Sequence, residues 1–210
     1  MALIEPKVKN AFVFVDGQNL YRAAKDAFGY NYPNYDIKLL SKWVCSSRDW
    51  NLSNIYFYTG VPDPQDDVFW HNFWSKKLSY MGRSGIKLFS RSLRYHNKDF
   101  KCPSCNKVYT SLVGHEKGVD VRLALDVIRF AHEKLYDVAI IFSQDQDLKE
   151  VAEELVKISK EQNRWIKIAS AFPASPTYKR RGIDKTEWIK IDKKTYDACI
   201  DLNDYRSKEK

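Results

Sequence analysis

The sequence lacks any apolar run that approaches the roughly 20 residues of a membrane-spanning helix, which excludes a spanning segment and a membrane partner. Residues 1–10 are polar and charged and lack the apolar stretch of a secretory signal peptide. Cysteine is scarce, with four residues, and without an export signal these thiols are expected to be reduced. Neither a G-x-G-x-x-G motif nor a P-loop is present, which argues against a nucleotide-cofactor enzyme. We therefore expect a cytoplasmic protein.

The chain does contain enough apolar material for a stable core. Hydrophobic residues make up 44% of its 210 residues. A folded chain of this size buries roughly 70% of its unfolded surface. The length fits one domain, with or without an extra module. Aromatic residues reach 14%, which exceeds the needs of a core and indicates a binding surface.

The positive charge is concentrated in one segment. The net charge is +8, and residues 76–117 carry ten basic side chains but two acidic ones, whereas the rest of the chain is balanced. A local basic segment in an otherwise neutral protein is typical of a polyanion partner. The alternative is a solvated face without a partner.

Short apolar runs alternate with segments of helical periodicity along the chain. The predicted strands are residues 11–15, 55–59, 86–90, 138–142, 166–169 and 188–191. The predicted helices are residues 20–28, 36–48, 68–81, 120–132 and 148–162, with a last helix after residue 193. This alternation predicts an α/β fold in which helices flank a central, mainly parallel sheet on both faces. Residues 91–115 are predicted to form a hairpin insertion that carries a Cys-x-x-Cys pair.

Acidic residues follow two of the predicted strands. Asp16 comes directly after the first strand, and Asp145 and Asp147 follow the strand at residues 138–142, while Asp120 begins a helix. Each of them is individually explained as turn or helix-cap chemistry. If the strand ends are neighbours, however, the carboxylates converge and need a cation to offset their repulsion. Oxygen ligands of this kind suit Mg²⁺ or Mn²⁺, which activate water and clamp phosphate oxygens.

Three motifs in order give the chain a family resemblance. They are F-V-D-G-Q-N-L at residues 14–20, E-K-G-V-D-V followed by L-A-L-D within residues 116–126, and I-F-S-Q-D-Q-D-L at residues 141–148. Together they resemble the NYN domain of the LabA-like group, in the PIN-like nuclease superfamily. The resemblance covers about residues 9–172, with residues 173–210 as a C-terminal extension. It implies a three-layer PIN-like fold and a metal-dependent ribonuclease site.

The resemblance also implies roles for individual residues. The metal ligands and catalytic residues would be Asp16, Asp120, Asp145 and Asp147. Asn19 would orient a phosphate, and Ser143, which stands where the family has a small hydroxyl residue, would also bind substrate. The chain departs from the family pattern Gly-Asp-Ser-Asp, because Gln144 and Gln146 flank Asp145.

The Cys-x-x-Cys pair, Cys102 and Cys105, resembles one knuckle of a zinc ribbon. Structural Zn²⁺ needs four ligands, so this pair supplies half a site. His96 and His115 flank the hairpin and would complete a Cys₂His₂ set. A second copy of the chain would instead contribute its own pair across a homodimer interface. The third alternative is a metal-free hairpin with two reduced thiols.

Basic and aromatic residues are interleaved in the basic segment, a combination that favours single-stranded or looped RNA, because cations neutralise phosphates while rings stack on unpaired bases. A second basic cluster follows the fifth strand. The candidate substrate-binding cations are Arg91, Arg94, Lys117, Lys179, Arg180 and Arg181.

The function predicted from these features is metal-dependent hydrolysis of RNA by activated water at an aspartate cluster. The alternative from another class is an RNA-binding regulatory protein that uses the same fold with a weak or inactive site. A Toprim-like or phosphatase-like domain fits less well. Toprim domains normally have Glu where this chain has Asp16. Haloacid dehalogenase-type phosphatases place the D-x-D pair after the first strand, whereas in this chain the pair follows a later strand, at residues 138–142.

Overall fold

The computed structural model describes residues 3–115, 117–178 and 180–206, without the side chains of Leu112 and His115. The strands are β1 (Asn10–Asp16), β2 (Asn51–Val61), β3 (Lys87–Ser92), β4 (Arg94–Lys101), β5 (Val108–His115), β6 (Val138–Phe142), β7 (Lys167–Pro173) and β8 (Glu187–Ile191). The helices are α1 (Gly17–Phe28), α2 (Ile37–Ser46), α3 (Val68–Arg83), α4 (Val119–His132), α5 (Lys149–Glu161) and α6 (Lys193–Asp197).

A six-stranded sheet in the order β3-β2-β1-β6-β7-β8 forms the centre of the fold. Every neighbouring pair in it is parallel, which confirms the predicted α/β class. β1 and β6 lie side by side in the middle, where the order of the strands reverses. In open parallel sheets of this kind, ligands bind beyond the carboxyl ends of the strands at such a switch point.

Helices cover both faces of the sheet, which gives three layers. Along β1, Val13 and Val15 point to one face, where they pack with residues of α1, α2 and α3. Phe12 and Phe14 point to the other face, where they pack with residues of α4 and α5. Because alternate side chains of a strand enter two different cores, both central strands must be apolar throughout.

A close approach of backbone to side chain explains the glycine that follows Asp16. A Cβ atom on Gly17 would lie 2.5 Å from Cζ of Phe57 and 3.1 Å from the carbonyl oxygen of Tyr58. Only glycine therefore lets α1 begin directly at the end of β1 while β2 passes beside it. This tight junction fixes where Asp16 lies.

β4 and β5 form a separate antiparallel hairpin next to the sheet. Phe100 and Tyr109 stack across it with ring centroids 5.6 Å apart. In the described part of the chain, no helix combines the length and the apolar character that crossing a membrane requires.

Candidate active site

Asp16 and Asp145 are brought together by the pairing of β1 with β6. Val15 pairs with Phe142 at the carboxyl ends of these strands. The next residue of each chain segment, Asp16 and Ser143, therefore leaves the sheet at the same edge. Oγ of Ser143 lies 3.4 Å from Oδ2 of Asp16 and accepts a 3.1 Å hydrogen bond from the backbone N–H of Asp145. The sequence between residues 143 and 145 thus turns back over the end of β1.

Each of these two carboxylates also caps a helix. Oδ1 of Asp16 accepts a 3.0 Å hydrogen bond from the backbone N–H of Asn19 at the start of α1. Oδ1 of Asp145 accepts a 3.0 Å bond from the backbone N–H of Asp147 in a one-turn 3₁₀ helix. Asn19 ties the two segments together, because its Oδ1 accepts a 2.9 Å bond from the backbone N–H of Gln144. Capping and site formation therefore use the same groups.

A cavity of about 290 Å³ opens at this edge and is lined by Asp16, Asp120 and Asp145. We call it the acidic cavity. Asp120 reaches it from the first turn of α4, and Arg22 reaches it from α1. Val113 and Gly114 of β5 form another part of its wall, so the hairpin borders the site. Three of the four predicted aspartates thus face one cavity.

Burial raises the pKa of Asp16 from its usual 3.8 to about 6, and the nearby charge of Asp145 adds to this rise. The backbone N–H of Asn19, the Ser143 hydroxyl and Arg22 oppose the rise without cancelling it. A buried carboxyl group beside other carboxyl groups ionises less readily because no cation offsets the negative charge. Its raised pKa therefore indicates a candidate functional site.

This raised pKa predicts how the stability of the metal-free protein depends on pH. The folded protein holds the Asp16 proton more tightly than the unfolded chain, so stability from this group is present below pH 3.8 and is lost as the pH rises through about 6. In EDTA, Asp16→Asn is therefore expected to melt at a higher temperature than the wild type at neutral pH. Thermal melts of both proteins from about pH 4 to pH 7.5 test this, because the gap should widen with pH. A constant gap would contradict it.

Several other predicted site residues do not line the acidic cavity. Asp147 is exposed and is absent from the lining of the acidic cavity. Ser143 is buried, and its hydroxyl contacts both the Asp16 carboxylate and the backbone N–H of Asp145, so it orients the two aspartate segments. A contact of Ser143 with substrate stays a prediction. Nη1 of Arg91 donates a 3.4 Å bond to the carbonyl oxygen of Lys117, away from the cavity lining.

Other predicted cations divide into two groups. Arg94 begins β4 at the base of the hairpin and is exposed. Arg180 and Arg181 line a cavity that adjoins the acidic cavity, and their contact with substrate stays a prediction. Lys179 lies outside the described residues, as does the side chain of His115.

The hairpin register separates the cysteines from the histidines. Cys102 and Cys105 are in the turn, whereas His96 pairs with Val113 and His115 pairs with Arg94 near the base. Five residues of β-strand lie between His96 and Cys102, which puts the two residues about 20 Å apart. One chain therefore cannot complete the Cys₂His₂ set, and that alternative is wrong. Among the described residues, moreover, no three His, Cys, Asp or Glu side chains are grouped closely enough to hold a metal ion.

Arg22 and Tyr178 are among the cavity-lining residues that the sequence did not predict. Arg22 lines both cavities, and its position three residues after Asn19 on α1 places it on the same face of the helix, a spacing that would have revealed it. Tyr178 lines the adjoining cavity from a loop, for which no periodicity exists.

Comparison with known proteins agrees with this architecture. A family model described as the NYN domain matches residues 10–178. A protein of unknown function, VPA0982 from Vibrio parahaemolyticus, has a similar solved structure with a TM-score of 0.52 and 18% identity, covering 90% of this chain and 98% of that one. This likeness supports the fold alone. MurG from Acinetobacter baumannii matches with a TM-score of 0.33 and 10% identity over 87% of this chain and 45% of MurG, and carries no argument. No curated protein matches the chain.

Proposed function

Because the chain belongs to the NYN domain family of the PIN-like nuclease superfamily, we propose that it is a ribonuclease that hydrolyses phosphodiester bonds with a divalent metal ion. The observation that carries this proposal is the acidic cavity at the switch point of the sheet, with Asp16, Asp120 and Asp145 on its wall. A structural role for these carboxylates would not require three of them to face one opening beside the sheet.

The donor groups of the acidic cavity fit Mg²⁺ or Mn²⁺. Mg²⁺ binds through one or two carboxylates and keeps several water molecules, so it does not need three protein ligands in direct contact. Asp16 and Asp145 are the residues that would hold it, since both line the acidic cavity and the charge of Asp145 contributes to the raised pKa of Asp16. Asp120 is the third carboxylate of the wall, and a supporting role for the exposed Asp147 stays part of the proposal.

When bound, such an ion supplies an activated water and neutralises charge on the phosphate. The residues of the chain provide the positioning. The Asn19 backbone and the Ser143 hydroxyl fix the Asp16 carboxylate, and Arg22 brings a positive charge to the edge of the cavity. A guanidinium in this position suits a phosphate oxygen, because it donates hydrogen bonds in a planar fork.

Incubation with structured and unstructured RNA tests the proposal. We expect cleavage with Mn²⁺ or Mg²⁺, loss of cleavage in EDTA, and products with 5′-phosphate and 3′-hydroxyl ends. Undiminished cleavage in EDTA, or 2′,3′-cyclic phosphate ends, would contradict the mechanism. Binding of RNA without turnover under any metal would instead assign the regulatory function, with an affinity that falls steeply as salt rises.

The subgroup of the family, the cellular location and the kind of RNA substrate are proposed on the three sequence motifs alone. We assign the chain to the LabA-like group and to the cytoplasm on this basis, and we expect unpaired RNA as its substrate. The exposed aromatic and basic side chains of the hairpin, including Tyr109, Lys98 and Lys107, support this substrate because they offer stacking and charge together.

A structural Zn²⁺ at the hairpin tip is proposed only as a site shared by two chains. The backbone N–H groups of Cys105 and Ser104 lower the pKa of the Cys102 thiol, which favours the thiolate that zinc requires. The neighbouring cations Lys101 and Lys107 offset the negative charge of a tetrathiolate site.

Metal analysis and light scattering test this site together. Protein purified without added zinc is expected to hold about one Zn²⁺ per two chains and to be a dimer. Cys105→Ser should release the zinc, whereas Cys199→Ser, which changes a buried thiol far from the tip in sequence, should retain it. A monomer free of zinc would leave the hairpin as a pair of reduced thiols and end the proposal.

A further inference from the structure

A second cavity, of about 620 Å³, adjoins the acidic cavity and shares Asn19, Arg22 and Asp145 with it. We call it the arginine cavity, because Arg180 and Arg181 line its opposite side. Its volume lies within the roughly 300–1,000 Å³ of small-ligand sites, which leaves room for a nucleotide. The proposed metal chemistry uses the shared residues Arg22 and Asp145 but not the rest of this space.

Two glutamine side chains of the loop at residues 143–147, which carries Asp145, form hydrogen bonds with the segment at residues 180–184, which carries the two arginines. Nε2 of Gln144 donates a 3.1 Å bond to the carbonyl oxygen of Arg181. Nε2 of Gln146 donates a 2.9 Å bond to the carbonyl oxygen of Gly182, and its Oε1 accepts a 3.2 Å bond from the backbone N–H of Asp184. The two residues that depart from the family pattern therefore hold residues 180–184 in place.

Tight packing around Gly182 also holds the segment at residues 180–184 in place. A Cβ atom on Gly182 would lie 2.7 Å from ring atoms of both Phe172 and Trp188. Oγ of Ser170 accepts a 3.2 Å bond from the backbone N–H of Ile183. The arginines thus extend from a segment with a defined backbone, which reduces the entropic cost of binding a ligand.

The side chains on this wall combine charge with an aromatic face. The Arg180 guanidinium lies over the ring of Tyr178, 5.5 Å from its centroid, and the hydroxyl of Tyr178 is 3.4 Å from Oε1 of Gln144. Arg181 forms a 3.5 Å ion pair with Asp184, and Arg22 stands at the boundary with the acidic cavity. Guanidinium groups neutralise phosphate, and a tyrosine ring stacks on a base that is not paired.

We propose that the arginine cavity binds the unpaired nucleotide that flanks the cleaved bond, with its base against Tyr178 and its phosphate at Arg22 and Arg180. Gln144 and Gln146 act as positioning residues for this subsite. The location next to the cleaved bond rests on the proposed ribonuclease function. The site selects single-stranded over duplex RNA, because a paired base cannot reach the tyrosine ring.

RNA binding in EDTA tests the subsite without cleavage. Fluorescence anisotropy with a labelled single-stranded oligonucleotide is expected to give a dissociation constant roughly tenfold higher for Tyr178→Ala, from the loss of stacking. Tyr178→Phe keeps the ring and should bind as the wild type does. Neither variant should change binding of a blunt RNA duplex of the same sequence.

Matched control variants separate the loss of a contact in the arginine cavity from the loss of any positive charge and from the loss of any side-chain amide hydrogen bond. Arg180→Ala should flatten the dependence of binding on salt by about 0.7 in log–log slope, as expected for one phosphate contact. Arg206→Ala removes the same charge from a guanidinium that stacks on Tyr32 instead, and should leave binding of the single strand unchanged. Gln146→Ala should weaken single-strand binding, whereas Gln162→Ala, which loses a similar amide bond to the His132 carbonyl, should not.

The outcomes distinguish this proposal from the nuclease function. Unchanged single-strand binding in Tyr178→Ala and Arg180→Ala would overturn the subsite, even if metal-dependent cleavage is observed. Weakened binding in both variants would support a site for an unpaired nucleotide in this cavity, even if the wild type never cleaves RNA. A loss confined to oligonucleotides with a 5′-phosphate would overturn the internal position and assign the cavity to a terminal phosphate.

Discussion

Asp16→Asn is expected to lower metal-dependent RNA cleavage by more than about 100-fold, since residues that only support metal ligands already cost 10- to 100-fold. Asparagine removes the negative charge that the metal needs but keeps an oxygen that can accept the Asn19 backbone bond at the start of α1. The fold should therefore survive, and initial rates at saturating Mn²⁺ measure the loss.

Asp36→Asn is the matched control for this experiment. Asp36 caps α2 as Asp16 caps α1, accepting bonds from the backbone N–H groups of Lys38 and Leu39, but it does not line the acidic cavity. It should retain wild-type activity. If Asp16→Asn cleaves RNA as fast as Asp36→Asn, then Asp16 is only a helix cap.

Asp201→Asn is expected to destabilise the protein by about 3 kcal/mol, because it leaves a buried lysine without its counter-charge. Nζ of Lys77 on α3 is fully buried and lies 2.9 Å from both Oδ2 of Asp201 and the carbonyl oxygen of Tyr35. Burial lowers the pKa of Lys77, and the charge of Asp201 opposes this. The hydroxyl of Tyr205 donates a 2.9 Å bond to the same carboxylate oxygen.

Urea unfolding of Asp201→Asn and Asp197→Asn separates this buried pair from surface charge. Asp197 pairs with Lys193 in the same C-terminal region, but both side chains are well exposed, so its loss should cost less than about 1 kcal/mol. Equal midpoints for the two variants would mean that the segment after α6 adds no stability through Lys77.

The order of strands and helices could be predicted because the central strands are buried on both faces. β6 matches the predicted residues 138–142, since all five of its residues are apolar and buried. β2 begins at Asn51, four residues before the prediction, because Asn51 and Ser53 are polar where the strand reaches the surface. Hydrophobic pattern locates the buried part of a strand and misses its exposed end.

The acidic cavity could be predicted in part for a similar reason. Asp16 and Asp145 follow strands that the pattern identifies, and parallel strands bring their carboxyl ends to one edge. The arginine cavity could not be predicted from the sequence, because its shape depends on hydrogen bonds from Gln144 and Gln146 to the carbonyl groups of Arg181 and Gly182. Bonds from side chains to distant backbone leave no periodic signal in a sequence.

Titration of metal-free protein with Mn²⁺, followed by calorimetry or by electron paramagnetic resonance of the free ion, tests the central claim most directly because it requires no RNA and no turnover. The wild type and Asp36→Asn are expected to bind Mn²⁺ with the same affinity, and Asp16→Asn is expected to bind it at least about tenfold more weakly. Equal binding by all three proteins would contradict a metal site at the ends of β1 and β6.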